Sequence, residues 1–213
     1  MLFRLIFCIL LFSPLFGETV LERVSELHEG NLVVYSLPRS VCIVTVEKKE
    51  GDMLFFRTVS ATKDVFQREG YQTWIEWFDD GAPEASTDER FSIQSLESIT
   101  NEDWFRTLLS LELSPVSNTL RKKAGPKPMA GEHDLRPIWQ PKVVVNGKRI
   151  TTPSVALETL WPADSSVLSE RPLILYFPTS KESVHALPYW IESPTSSYRA
   201  EVIDSRVAST NRE

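Results

Sequence analysis

The amino-acid sequence predicts a mainly β protein of the α+β kind. Its antiparallel strands form a curved sheet, a sandwich or a half-barrel, with a short N-terminal helix and one helix lying over the sheet as a lid. Three observations predict it. Short runs rich in Val, Ile, Phe, Tyr and Trp recur along the chain, divided by turn residues. Two of the breaks, Glu50-Gly51-Asp52 and Asn146-Gly147, carry hairpin chemistry. Apolar residues at helical spacing are confined to two segments.

Thr19 to Glu29 reads as a short amphipathic helix closed by Gly30. Strands follow at Leu32–Leu37, Val41–Lys48, Met53–Ser60 and Gln72–Phe78, the last ended by Asp79-Asp80-Gly81, and a fifth is expected at Arg90–Leu96. Thr100-Asn101-Glu102-Asp103 resembles a capping box, and Trp104, Phe105, Leu108, Leu109 and Leu113 recur behind it. That spacing predicts a lid helix over 101–112. Residues 114–136 hold three prolines and two glycines without apolar periodicity, which marks a long loop. Asn146-Gly147 suits a type I′ turn between Val143–Val145 and Lys148–Thr151. Further strands are expected at Val155–Trp161, Leu173–Phe177, Pro188–Ser193 and Tyr198–Asp204. In the last, Tyr198, Ala200 and Val202 face one way and Arg199 and Glu201 the other, so one face is buried and one solvated. Strands on both sides of the 114–136 loop argue for one domain over 18–205, with 206–213 a disordered tail.

The compartment is read from the first residues. Arg4 supplies a positive n-region, Leu5–Phe12 an apolar core, and Ser13, Pro14 and Gly17 a break and a small residue for cleavage. Met1–Gly17 is thus expected to be a secretory signal peptide, too short for the roughly 20 residues of a spanning helix. The mature chain would keep no transmembrane span, and it would keep Cys42 but not Cys8, which leaves no intrachain disulfide. Cys42 sits in the apolar run Val41–Val44, the setting of a small core residue. Acidic residues outnumber basic ones, 29 to 23, for a formal charge of −6. That balance excludes a general nucleic-acid binder, which needs a basic surface to release counterions.

Chemistry is sparse. The chain has no G-x-S-x-G elbow, no phosphate-binding G-x-x-x-x-G-K-[ST] loop and no H-E-x-x-H helix, and its three histidines show no metal-ligand spacing. No metal or cofactor is expected. His133-Asp134, Asp164-Ser165-Ser166 and Asp204-Ser205 offer an imidazole, carboxylates and hydroxyls, the ingredients of a hydrolytic site if folding joined them. The candidate ligand-cavity residues are Arg57, Trp74, Glu76, Trp77 and Phe78. Arg57 falls between Phe55 and Val59, and Glu76 between Trp74 and Phe78, so the two charges are either solvent-exposed on an outer face or, on coinciding faces, paired on an aromatic surface. Trp74-Ile75-Glu76-Trp77-Phe78 carries bulky apolar groups on both faces, as in a sheet covered on both sides or curved around an apolar cavity. Trp139, Trp161, Trp190, Tyr189 and Phe177 read first as core aromatics. Arg121, Lys122, Lys123 and Lys127 make the long loop basic, either as a solvated connection or as a contact for anionic lipid or an acidic partner.

The segments Leu160-Trp161-Pro162-Ala163-Asp164-Ser165-Ser166, Leu175-Tyr176-Phe177-Pro178, Leu187-Pro188-Tyr189-Trp190-Ile191-Glu192 and Val202-Ile203-Asp204-Ser205 resemble uncharacterised exported proteins of chlamydia-like Gram-negative bacteria. The likeness spans roughly residues 137–206 and implies a compartment, without an activity. The order of leader, early helix, meandering strands and lid helix is similar to the periplasmic lipoprotein-carrier half-barrels, an analogy of fold alone. Together these readings point to an exported periplasmic or envelope-associated protein, non-enzymatic, that binds an apolar, lipid-like ligand or an envelope protein. The alternatives are an envelope hydrolase and a structural interaction module working through its sheet edge or long loop.

Overall fold

The computed structural model describes residues 18–69, 86–94, 103–117, 119–179 and 186–207. The expected leader, the strand at 72–78 and residues 208–213 of the expected tail lie outside them.

Twelve strands and three short helices follow one another among the described residues. In chain order they are β1 (Glu18–Thr19), α1 (Val20–Val24), β2 (Leu32–Ser36), β3 (Ser40–Glu50), β4 (Met53–Thr62), α2 (Lys63–Glu69), β5 (Thr87–Ser92), α3 (Trp104–Leu109), β6 (Glu112–Pro115), β7 (Lys142–Val145), β8 (Lys148–Thr151), β9 (Ser154–Leu160), β10 (Pro172–Pro178), β11 (Trp190–Glu192) and β12 (Arg199–Arg206). Ten strands form one open antiparallel sheet in the order β1-β6-β9-β10-β11-β12-β2-β3-β4-β5, and β7-β8 is a separate hairpin. The mainly β, antiparallel, curved fold expected from the sequence is the fold observed, and the sheet is unclosed.

The pleat decides which residues are buried. Val33 and Tyr35 of β2, Val44 and Val46 of β3, Leu54 and Phe56 of β4 and Phe91 of β5 point to one face, which we call inner. Over it lie α1, through Val20 and Val24, and α3, through Phe105, Leu108 and Leu109. Phe105 stands edge-on to Phe56, with ring centroids 5.6 Å apart. This is the lid the apolar stripe predicted. The alternating residues Val34, Ile43 and Val59 point to the outer face, where Val65 of α2 covers them. In this region the sheet is therefore covered on both sides. The alternation read in the last strand also holds, with Ala200 and Val202 buried and Arg199 exposed.

Several boundaries differ from the sequence reading. The helix α1 ends at Val24, short of Glu29, because a turn takes over: the Leu27 N–H donates to Val24 and the His28 N–H to the Asn31 side chain. At α3, Asp103 is the N-cap itself, accepting from the Phe105 and Arg106 N–H groups, so helix described from Trp104 to Leu109 replaces the expected 101–112. Glu112–Pro115, expected as the end of that helix and the start of the loop, is strand β6, paired with β1 and β9. Strand β5 begins at Thr87, three residues before the expected start, where the register of β4 calls for a partner to Ser60. Arg206, assigned to the tail, closes β12 opposite Leu32.

Candidate functional site

Three turns meet at one end of the sheet: Leu37–Ser40 between β2 and β3, Trp161–Arg171 between β9 and β10, and Ser196–Tyr198 before β12. With Trp104 from the start of α3 they enclose an open cleft of about 550 Å³. That volume is within the range of small-molecule sites. Its walls are largely apolar: Leu37, Pro38, Trp104, Trp161, Val167, Leu168 and Tyr198.

Each wall is fixed locally. Trp161 is buried, and its indole N–H donates to the Asp164 carboxylate at 2.6 Å. The same carboxylate accepts the Ser166 N–H at 2.9 Å. Burial alone would raise the Asp164 carboxyl, but these donors hold it below the usual carboxylate range, so it stays ionised and occupied. Trp104 packs edge-on against Tyr35 at 5.3 Å. The Tyr198 hydroxyl is shut off from solvent. Its polar neighbour is the Trp104 indole. Burial raises this phenol far above its ordinary range, so it remains neutral.

Two features of the cleft stay open to solvent. Val167 is 73% exposed on its wall, an apolar side chain facing water. Arg39 and Arg171 are exposed at its margin, and the Arg171 guanidinium donates only to the Thr195 carbonyl, at 3.4 Å, among the described residues. The arrangement offers apolar walls, two cations and one carboxylate already committed to the protein. It can bind and orient. It presents no nucleophile paired with a base among the described residues.

Of the candidates read from the sequence, Asp164 and Ser166 line the cleft. Trp74, Glu76, Trp77 and Phe78 lie outside the described residues. Arg57 sits on the outer face of β4, only 6% exposed, and donates to both oxygens of Asp88 at 2.9 and 2.7 Å. Several of the hydrolytic ingredients are committed to other bonds. Asp134 accepts two hydrogen bonds from the Arg136 guanidinium, both at 3.0 Å, and pairs with Lys123 at 3.3 Å. Asp164 serves the turn described above, and the Ser205 hydroxyl donates to the Val144 carbonyl at 2.6 Å. His133 is exposed. Cys42 is a buried core residue as expected, and burial pushes its thiol up to about 12.

The basic residues of the long loop are not equivalent. Lys127 is exposed, Lys123 pairs with Asp134, and the Arg121 Nε is buried without a hydrogen-bond partner among the described residues. Lys122 projects onto the outer face of the sheet. Its ammonium lies 4.1 Å from the Trp139 ring centroid, 5.4 Å from that of Trp190 and 3.2 Å from a Glu192 oxygen. Sequence reading placed Trp139 and Trp190 in the core and did not join them to Lys122. A bridge between Lys123 and Ile138 sets Trp139 beside Lys122, and the pairing of β10 with β11 sets Tyr176 opposite Trp190 and Glu192 two residues along on the same face. The cleft was missed for a similar reason, since three turns remote in sequence make it. The available signal was Val167, an apolar residue stranded among Asp, Ser and Glu.

The fold and the cleft define a class: an open antiparallel β-sheet protein with an apolar groove at one end and no catalytic constellation among its described residues. A family model described as CT021 protein matches residues 93–151. The chain is also similar to the hypothetical protein CT021 from Chlamydia trachomatis, known from a 2.0 Å structure, with a TM-score of 0.52 and 18% identity over 91% of this chain and 96% of that one. The likeness establishes a shared fold and the resemblance to uncharacterised chlamydial proteins. No curated protein matches the chain.

Proposed function

We propose that the protein is a non-catalytic binding protein of the bacterial envelope whose cleft holds an amphiphile with an apolar body and an anionic head. The observation that carries the reading is Val167, standing 73% exposed on the wall of an aromatic cleft where a bound apolar chain would cover it. Arg39 and Arg171 at the margin supply the complement for a carboxylate or phosphate head, and Asp164 does not compete, because Trp161 and Ser166 already occupy it. Export belongs to the same proposal and is supported by the pattern of Arg4, Leu5–Phe12 and Gly17.

Titration calorimetry with laurate, against dodecanol as the uncharged control, tests the cleft. Saturable laurate binding is expected. A Val167→Glu chain, altered at an exposed position, should lose it while keeping its melting temperature. Replacing both Arg39 and Arg171 by Ala should weaken laurate roughly tenfold or more and leave dodecanol unchanged, since charge-assisted hydrogen bonds would be lost from one ligand only. Absence of saturable binding, or binding indifferent to Val167→Glu, overturns the reading. Fractionation of cells expressing the full chain tests export: recovery with the cytoplasm rather than the envelope would refute it.

A further inference from the structure

The surroundings of Lys122 are those of a receptor site. Trp139 and Trp190 stand at 75° with ring centroids 4.7 Å apart, and Tyr176 meets Trp139 edge-on at 5.3 Å, so two indole faces form a corner. Glu192 closes it with a carboxylate only 19% exposed. The carboxylate is held in place by the Tyr176 hydroxyl, donating at 3.2 Å, and by the Trp190 indole N–H, donating at 3.0 Å. Two steeply inclined π-faces beside a fixed anion are surroundings that favour an organic cation. The corner already contains one, the Lys122 ammonium.

Lys122 is an occupant of this corner and not one of its walls. Its side chain is 44% exposed, more than twice as open as Glu192. The loop that carries it is tied together by other means. The Trp139 N–H donates to the Lys122 carbonyl and the Ala124 N–H to the Pro137 carbonyl, while Asp134 clamps Lys123 and Arg136. Every one of these bonds uses backbone atoms or other side chains. Withdrawing the Lys122 side chain therefore breaks none of them, nor the bonds that Tyr176 and Trp190 donate to Glu192.

We infer that this corner is a binding site for an alkylammonium group, a protonated primary amine or its methylated form, carried by a free ligand or an amine-bearing lipid head. Lys122 is a tethered stand-in that the ligand displaces. The site is on the outer face of β10 and β11 and does not depend on the reading of the cleft.

Tryptophan fluorescence of the full chain, titrated with n-butylammonium and with tetramethylammonium, tests it. Lys122→Ala removes the tethered competitor and is expected to bind at least one of the two about tenfold more tightly than the unaltered chain. The double variant Lys122→Ala/Trp190→Leu should lose the response. Lys122→Ala with an unchanged circular dichroism spectrum and melting temperature, but no saturable response to either cation, overturns the proposal. A second measurement needs no variant. Ring currents should hold the Lys122 Cε protons upfield of free lysine, and butylammonium should move them back. Protons that stay in place at saturating amine also overturn it. Sedimentation with phosphatidylethanolamine but not phosphatidylglycerol vesicles, dependent on Trp190, would assign the lipid head as the source. Binding of the free amine alone would assign a soluble ligand.

Discussion

Arg57 shows how a charge can sit under a β-sheet face. Its side chain is 7% exposed, and the two-pronged contact with Asp88 supplies the counter-charge such burial requires. The Arg57 guanidinium holds the Asp88 carboxyl below the usual carboxylate range, against the opposing effect of burial. A depressed carboxyl contributes stability that is present above its unfolded pKa, about 3.9, and is lost as pH falls through the lower folded value. Asp88→Asn is expected to cost about 2 kcal/mol near neutral pH, below the full penalty for a buried pair because Asp88 is a quarter exposed. Urea unfolding between about pH 5 and pH 2 should show the native chain losing stability more steeply than the variant. Parallel slopes would mean that the pair makes no contribution. Sequence pattern read Arg57, between Phe55 and Val59, as solvent-exposed on an outer face or, on coinciding faces, paired with Glu76; it is instead buried on Asp88. Thirty-one residues separate the two, and only the register of β4 with β5 brings them together.

At the scale of elements, legibility followed locality. Asn146-Gly147 predicted the β7–β8 hairpin because turn chemistry is contained in two residues, and both adopt the positive φ of that turn, 49° and 74°. A Cβ on Gly147 would meet no atom within 4 Å, so Gly147→Ala tests backbone strain alone. It is expected to cost about 1 kcal/mol, with hydrogen exchange quickened in Val145 and Lys148. An unchanged melting temperature and exchange pattern would contradict the turn. The hairpin also holds β12, since the Asn146 N–H donates to the Ser205 carbonyl and the Asn146 side chain accepts from Val207. Phe105, Leu108 and Leu109 announced α3 by their spacing. Glu112–Pro115 could not be read in the same way: its four residues have no pattern of their own and become strand by pairing with β1 and β9. Helix α2 was likewise hidden in seven residues, its packing supplied by the outer-face cluster of Val34, Ile43 and Val59.

At the scale of the molecule, one strand joins two assemblies. The order β1-β6-β9-β10-β11-β12-β2-β3-β4-β5 sets the last strand between two blocks, β1-β6-β9-β10-β11 and β2-β3-β4-β5. Beyond β12, Tyr35 ties β2 to the first block by donating its hydroxyl to the Pro188 carbonyl at 2.7 Å. A chain ended before Arg199 is expected to lose the single cooperative unfolding transition of the full protein, because β2 and β11 would both become unpaired edges. A sharp melt retained by that shortened chain would refute the view of β12 as the join. On the ribosome, β2, β3 and β4 emerge before β12 and can zip into a meander, yet the second edge of β2 must wait through more than a hundred and fifty residues for its neighbour. Such distant closure is slow. Until β12 has been made, that edge of the nascent sheet stays unpaired and open to handling by chaperones.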